Sequence, residues 1–160
     1  MKARWIRLQA HEFGAACSQL AAVQGNDALP VLAWGRGETT YEFALIAPRL
    51  CAPGRESRWL PWGLSAAIAT YRQFGYPAYL EEGICLHGKR IAEAAARTAG
   101  ECVLVASSFL LRFPQARLAT PSAMLEQAFR LRLEAQHGWQ FDHSWPTALE
   151  GAVAGVSVAG

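Results

Sequence analysis

Lysine is scarce in this chain: of its 15 Lys and Arg residues, only Lys2 and Lys89 are lysines. The formal net charge is +2 and no run of like charge forms a basic arm, which argues against a nucleic-acid partner. Charged residues make up 18% and hydrophobic residues 52%, a balance that excludes an intrinsically disordered chain. No stretch reaches the ~18 consecutive apolar residues of a membrane span. The start, Met1-Lys2-Ala3-Arg4-Trp5-Ile6-Arg7, lacks the apolar core of a signal peptide. C-x-x-C pairs are missing: Cys17, Cys51, Cys85 and Cys102 are scattered, as expected of reduced thiols in a cytoplasm. His11, His87, His137 and His143 are equally dispersed, without the spacing of helical metal ligands, so no metal is expected.

What is present predicts one domain over residues 1–160. Small and apolar residues at helical intervals predict a helix over 13–24, closed by Gly25-Asn26-Asp27. Two β-rich runs, 29–34 and 39–47, read as strands around the turn Gly35-Arg36-Gly37-Glu38. After a loop at 49–57, with Ser57 as a candidate cap, a helix is expected over 65–75 and ends at a glycine. Gly83, Gly88 and Gly100 then punctuate a meander of strands at 84–87, 90–97 and 101–112. Helix is the competing reading for 90–97, because alanine has the highest helix propensity. Thr120-Pro121 opens another helix, whose apolar face is Met124, Leu125, Ala128, Phe129 and Leu133, with Gly138 as its stop. Residues 151–160 read as an edge strand or a frayed tail. The six tryptophans are expected in the core.

Three spots can carry chemistry. Gly88-Lys89-Arg90 puts a point charge and a planar fork on a hairpin, suited to a phosphate or carboxylate; the competing reading is a solvated tip. Gly35-Arg36-Gly37 allows close approach of backbone to an anion, or is a plain turn. Cys85 lies near two cations, with His87 on the same face of a regular strand, so it is a candidate nucleophile; otherwise it is a half-buried strand thiol.

From Tyr41 to Leu111 the chain resembles the lipoate/biotin protein ligase family, closest to its lipoate-protein ligase and octanoyltransferase branch. The resemblance rests on the run Gly37 to Ile46, on Ser65 to Gly75, and on Gly88-Lys89-Arg90-Ile91-Ala92-Glu93-Ala94-Ala95-Ala96-Arg97. That last stretch aligns with the family's G-[KR]-K-[IV]-[AS]-G-[ST]-A-x-R. Gly100 to Leu111 aligns with its following strand. The resemblance implies an α+β fold, a mixed or antiparallel sheet flanked by helices, as a reduced form of the ligase catalytic domain. It also implies that 90–97 is a strand whose alanines leave room for an acyl or biotinyl ligand.

By the same resemblance, the activity is transfer of a lipoyl, octanoyl or biotinyl group to a lysine of a carrier domain. Lys89 and Arg90 are the catalytic candidates, and Gly35, Arg36, Gly37, Ala92, Ala94, Arg97 and Ser108 the substrate-binding ones. Lipoate, octanoate or biotin is the implied ligand. The motif is eroded, however. The family's essential lysine falls on Arg90, its following glycine on Glu93, its Asn-Asp pair near Glu82-Gly83 and its histidine on Ala106. Its R-R-x-S-G-G-G loop shrinks to Trp34-Gly35-Arg36-Gly37. Only Arg97 and Ser108 match cleanly. These losses remove phosphate handling and speak against use of ATP. The alternative is a catalytically degenerate relative that binds an acyl ligand or a companion protein.

Overall fold

The computed structural model describes residues 1–110, 112–113, 116–117 and 122–154. Strand β1 (Lys2–Arg7) leads into helix α1 (Phe13–Ala22), then the hairpin of β2 (Val31–Arg36) and β3 (Thr40–Pro48). Two single turns of 3-10 helix (Arg49–Cys51 and Glu56–Arg58) precede α2 (Trp59–Gln73). Five strands follow: β4 (Tyr79–Leu80), β5 (Gly83–Leu86), β6 (Lys89–Glu93), β7 (Ala95–Ala99) and β8 (Cys102–Leu110). The described remainder is the ribbon β9 (Arg112–Phe113) and β10 (Ala116–Arg117), α3 (Ser122–His137), β11 (Gln140–Ser144) and α4 (Ala148–Ala154).

The main sheet has the order β11-β1-β2-β3-β8-β7. β1 runs parallel to both β11 and β2, and the β2–β3, β3–β8 and β8–β7 pairs are antiparallel. A small antiparallel sheet, β4-β5-β6, stands beside it. The fold is therefore α+β with a mixed sheet flanked by helices, as the sequence predicts.

The pleat sorts the core into two layers, because alternate residues of a strand face opposite ways. Trp5, Leu32, Trp34, Phe43, Leu45, Val103, Val105 and Phe109 pack with α2, α3 and the small sheet. Ile6, Val31, Ala33, Ala44, Ile46, Cys102 and Leu104 pack on the other face, against Phe13, Cys17 and Leu20 of α1. Phe43 and Phe129 lie with ring centroids 4.7 Å apart at the centre of the first layer, within the range where aromatic geometry adds to burial. Trp5, Trp34, Trp59 and Trp139 are buried as expected, but Trp145 is 60% exposed.

Several sequence expectations are corrected. The strand at 90–97 is two strands in two sheets, with the break at Ala94. β6 pairs with β5 while β7 pairs with β8, so long-range pairing divides a run that is locally uniform. α2 begins at Trp59 rather than 65: Pro61 sits in its first turn, where the missing N–H has no partner to lose. Ser57 is not its cap; the N-cap is Arg58, without a side-chain capping bond. β1, β11 and α4 were not predicted at all. Residues 148–154 are helix, so the edge-strand reading fails there, and 155–160 lie outside the described residues. The same holds for the Thr120-Pro121 helix entry.

Candidate functional site

The predicted hairpin at Gly88 is present. Leu86 pairs with Lys89 across a two-residue turn in which His87 and Gly88 both have left-handed backbone, φ +51° and +80°. That is the primed geometry whose twist matches the flanking strands, and glycine adopts it without steric cost. The turn places Lys89 and Arg90 on exposed backbone at the head of β6. Arg90 Nη2 lies 3.5 Å from a Glu82 carboxylate oxygen, and Nη1 lies 3.4 Å from one of Glu93. Both glutamates are over four-fifths exposed. Such pairs are loose and contribute ~0–1 kcal/mol each. Lys89 makes no ion pair among the described residues.

Cys85 and His87 do not form the predicted dyad. His87 belongs to the turn and is exposed, so strand alternation does not set its direction. Cys85 is buried at 7% exposure, its Sγ 3.7 Å from the Glu81 carbonyl and 3.8 Å from that of Gly83.

Gly35 lies within β2, not in a loop. A Cβ added there would fall 2.6 Å from the Phe13 ring of α1, so the glycine serves close helix–sheet packing. Arg36 is exposed, its guanidinium carbon 5.8 Å from the Tyr41 ring centroid, and Gly37 closes the hairpin through its N–H to the Thr40 carbonyl at 2.8 Å. The family-type anion loop has no counterpart in this short hairpin.

Ala92 is buried in the first core layer, and Ala94 and Ala96 are half-buried against that same layer. The chain crosses from the small sheet to the main sheet at this point. Ser107 Oγ donates to the Glu93 carbonyl at 2.7 Å across the divergence. The Tyr71 hydroxyl, whose acidity burial suppresses, donates to the Ser108 carbonyl at 3.0 Å and accepts from the Leu110 N–H at 3.2 Å. Together these bonds satisfy backbone groups that β7 no longer covers.

A second polar cluster lies on the α1 face of the sheet, and two of the predicted residues, Arg97 and Ser108, fall on that face, at register positions four residues apart along β8. Arg97 donates to the Ser18 hydroxyl of α1. Ser108 sits opposite Glu42 in the β3–β8 register, and Ala95 opposite Ala106 in the β7–β8 register, all on the α1 side by alternation. Cys17 completes the cluster. Its thiol is pushed up to about 12, first by burial and then by the Glu42 charge, with Arg97 pulling the other way. It is therefore a protonated packing group at neutral pH. Sequence reasoning missed Glu42, Ala95, Ala106, Cys17 and Ser18, which come from separate segments of the chain with no shared motif.

Among the described residues no group of three or more His, Cys, Asp or Glu side chains could hold a metal ion. No helix among them is long and apolar enough to cross a membrane.

No protein-family model matches the chain, and no curated protein matches it by sequence. Its structure, by contrast, is closely similar to solved ligases. The bi-partite lipoate protein ligase of Thermoplasma acidophilum, studied with its E2 lipoyl domain, matches with a TM-score of 0.76 at 11% identity, over 96% of this chain and 91% of that one. A lipoate-protein ligase A bound with ATP matches with a TM-score of 0.79 at 12% identity, over 96% and 93%. This chain has the fold of the lipoate/biotin protein ligase catalytic domain. The biotin protein ligase of Leishmania major, in complex with biotinyl-5-AMP, is similar at a TM-score of 0.57 and 14% identity, over 87% of this chain and 76% of that one.

Proposed function

We propose that this chain is a lipoate-protein ligase-like cofactor transferase that moves a lipoyl, octanoyl or biotinyl group to a lysine of a lipoyl or biotinyl carrier domain in the cytoplasm. The observation that carries the reading is the near full-length likeness to lipoate ligases, together with the cationic hairpin at Lys89 and Arg90. In the transfer, the carrier amine attacks the carbonyl of an activated acyl donor, a thioester or an adenylate. The new C–N bond forms, the C–S or C–O bond breaks, and the amine proton leaves with the departing group or to water. Lys89 and Arg90 supply positive charge for the developing and departing anions. The loose carboxylate pairs of Arg90 are weak enough for an anionic donor to displace. Without a glycine-rich anion loop, a pre-activated donor suits the site better than ATP.

The alternative is a degenerate relative that binds an acyl ligand or a partner without turnover. It is favoured by arginine at the lysine position, because a planar guanidinium does not reproduce an ammonium's compact contact. One experiment separates the two readings. The protein is incubated with lipoate, octanoate or biotin, with and without ATP, and with octanoyl thioester, in the presence of a carrier domain. Mass spectrometry then reads acyl-adenylate and carrier modification. Lys89→Ala/Arg90→Ala abolishes the modification under the transferase reading while leaving the far-UV spectrum and urea midpoint unchanged. A parent protein that modifies no carrier under any of these conditions overturns the transferase reading and leaves the binding one.

A further inference from the structure

Strand β11 is one edge of the main sheet, and part of its outer side is open. Gln140 donates its N–H to the Met1 carbonyl at 2.9 Å, toward β1. Backbone groups alternate in direction along a strand, so Asp142 and Ser144 also face β1, while Phe141 and His143 face away from the sheet. The Phe141 N–H is taken by Glu134 Oε2 of α3 at 2.8 Å. No described strand pairs with the outer side of His143, and that residue is exposed. The edge is thus blocked at Phe141 and free at His143, whose N–H and C=O can both bond to an added strand.

Beside His143 the surface is cationic. Two hollows, of about 190 Å³ and 230 Å³, meet at Trp5, Arg7 and His143, which share one face of the sheet by alternation and register. Among the described residues Glu126 of α3 is the one carboxylate that lines them, and it is already engaged. Arg7 Nη2 donates to both of its oxygens at 3.0 Å, and Trp5 Nε1 donates to Oε1 at 2.8 Å. Arg130, one helical turn further on, lines the same hollow as Glu126. It has no ion pair among the described residues, and its Nε is buried with no hydrogen-bond partner among them. One acid therefore serves two arginines, and the guanidinium it leaves over is Arg130. Trp145, 60% exposed, walls the second hollow.

We propose that this edge binds an extended acidic peptide of a partner protein. The peptide adds antiparallel to β11, so that His143 exchanges both backbone bonds with one acidic residue. That residue shares the face of His143 and turns its carboxylate into the hollow toward Arg130. Main-chain bonds supply affinity, and the hollows read every second side chain. β11 and β7 are opposite edges of the main sheet, and the cationic hairpin runs on into β7. The β11 edge is therefore a second docking surface, independent of the transferase reading.

Fluorescence anisotropy of the full chain with three labelled probes tests this: Thr-Glu-Thr-Glu-Thr, its Thr-Lys-Thr-Lys-Thr counterpart, and the first peptide N-methylated at both glutamates. The unmodified Thr-Glu peptide is expected to bind at least about tenfold more tightly than either other probe, because it alone offers both the charge and the backbone donors. His143→Pro removes an N–H that points away from β1, so β11 stays paired, and it should weaken the Thr-Glu peptide at least about tenfold. Arg130→Ala should weaken it as much and reduce its dependence on salt. Circular dichroism shows that both variants remain folded; should His143→Pro fail to fold, the N-methylated probe tests the backbone bonds alone. The proposal is overturned if the Thr-Glu peptide does not bind, or binds no more tightly than the Thr-Lys one. It also falls if Arg130→Ala weakens binding while neither His143→Pro nor N-methylation does, the mark of an anion site without an added strand. A parent protein that sediments as a dimer, and as a monomer once His143→Pro is introduced, would assign the edge to a second copy of this chain and overturn the peptide as its occupant.

Discussion

Arg90 lies across Gly83. A Cβ built on that glycine would sit 3.0 Å from both Cδ and Nε of Arg90 and 2.8 Å from the Ala92 carbonyl oxygen. The stem of the arginine and the backbone of β6 thus occupy the space a side chain would need. Gly83→Ala is expected to cost about 1–3 kcal/mol, as overpacking does, and to push the Arg90 guanidinium away from its carboxylate pairs. Removing the arginine should recover only part of the loss, since the Ala92 carbonyl stays in place. Urea denaturation of Gly83→Ala, Arg90→Ala and the double variant checks this. An unchanged midpoint in Gly83→Ala would show that the hairpin relaxes freely and does not fix Arg90.

The turn at His87-Gly88 gives a second measurement. Histidine pays for left-handed backbone at φ +51°, and asparagine tolerates it better. His87→Asn should raise stability by a few tenths to about 1 kcal/mol, whereas Gly88→Ala, at φ +80°, should lower it by about 1 kcal/mol. If His87 served as a base for Cys85, the asparagine variant would lose acyl transfer. Retained transfer with raised stability is expected. Loss of transfer would restore the dyad that the turn geometry removes.

How much of this was legible in the sequence depends on where each signal lives. The hairpin at Gly88 was readable because a turn is local chemistry, and most of the α3 face because Leu125, Ala128, Phe129 and Leu133 repeat at helical spacing, whereas Met124, expected with them, is 55% exposed. The split at Ala94 was not. Alanines carry no face preference, and which half joins which sheet is decided by partners in β5 and β8. The early start of α2 was hidden because Pro61 and Gly63 read as breakers unless the helix is known to begin two residues before the proline. The Cys17, Glu42 and Arg97 cluster is assembled from α1, β3 and β7, so no window of sequence contains it. Ala92 and Ala94, chosen through the family resemblance, lie on the first core layer, and the register puts Ala95 on the opposite face, beside α1, a sorting that no local pattern of alanines shows.

His137 makes stability sensitive to mild acid. Its ring stacks on Trp139 at 4.4 Å between centroids and 19° between planes, and meets Trp62 edge-on at 5.1 Å. Nε2 is buried with no hydrogen-bond partner among the described residues. Burial lowers its pKa from 6.5 to about 4. Between those values the unfolded chain binds a proton that the folded chain refuses. Stability is therefore full above about 6.5, falls as the pH drops, and levels off below about 4. The urea midpoint should decline across that window in the parent protein. His137→Phe, which keeps a ring between the tryptophans, should flatten the decline. An equally steep decline in the variant would place the titration elsewhere.

Glu150 governs a lower window and ties the C-terminal segment to β1. Arg4 forks onto its carboxylate, Nη1 to Oε2 at 2.9 Å and Nη2 to Oε1 at 2.8 Å. The Thr147 N–H donates to Oε1 at 2.8 Å, while the Glu150 N–H donates to Thr147 Oγ1 at 3.2 Å, a reciprocal cap that starts α4. Gln24 adds a third donor from the end of α1. Burial alone would raise this carboxyl, but hydrogen bonds from Arg4, Thr147 and Gln24 outweigh it and hold the pKa at about 2, down from 4.5. The network's contribution is thus complete above about 4.5 and disappears as the pH falls through about 2, where the folded carboxylate takes up its proton. Glu150→Gln leaves the Arg4 charge half-buried and unpaired, which costs about 3–5 kcal/mol at neutral pH. The variant should also lose the acid dependence between those two values, because it has no carboxyl to titrate. Replacing both partners, Arg4→Met with Glu150→Leu, should recover most of the loss, since apolar groups of similar size need no neutralisation. Recovery in the double variant, with loss in the single one, would identify the pair as an anchor whose charges balance each other. Equal loss in both would instead mean that the Gln24 and Thr147 bonds hold the segment.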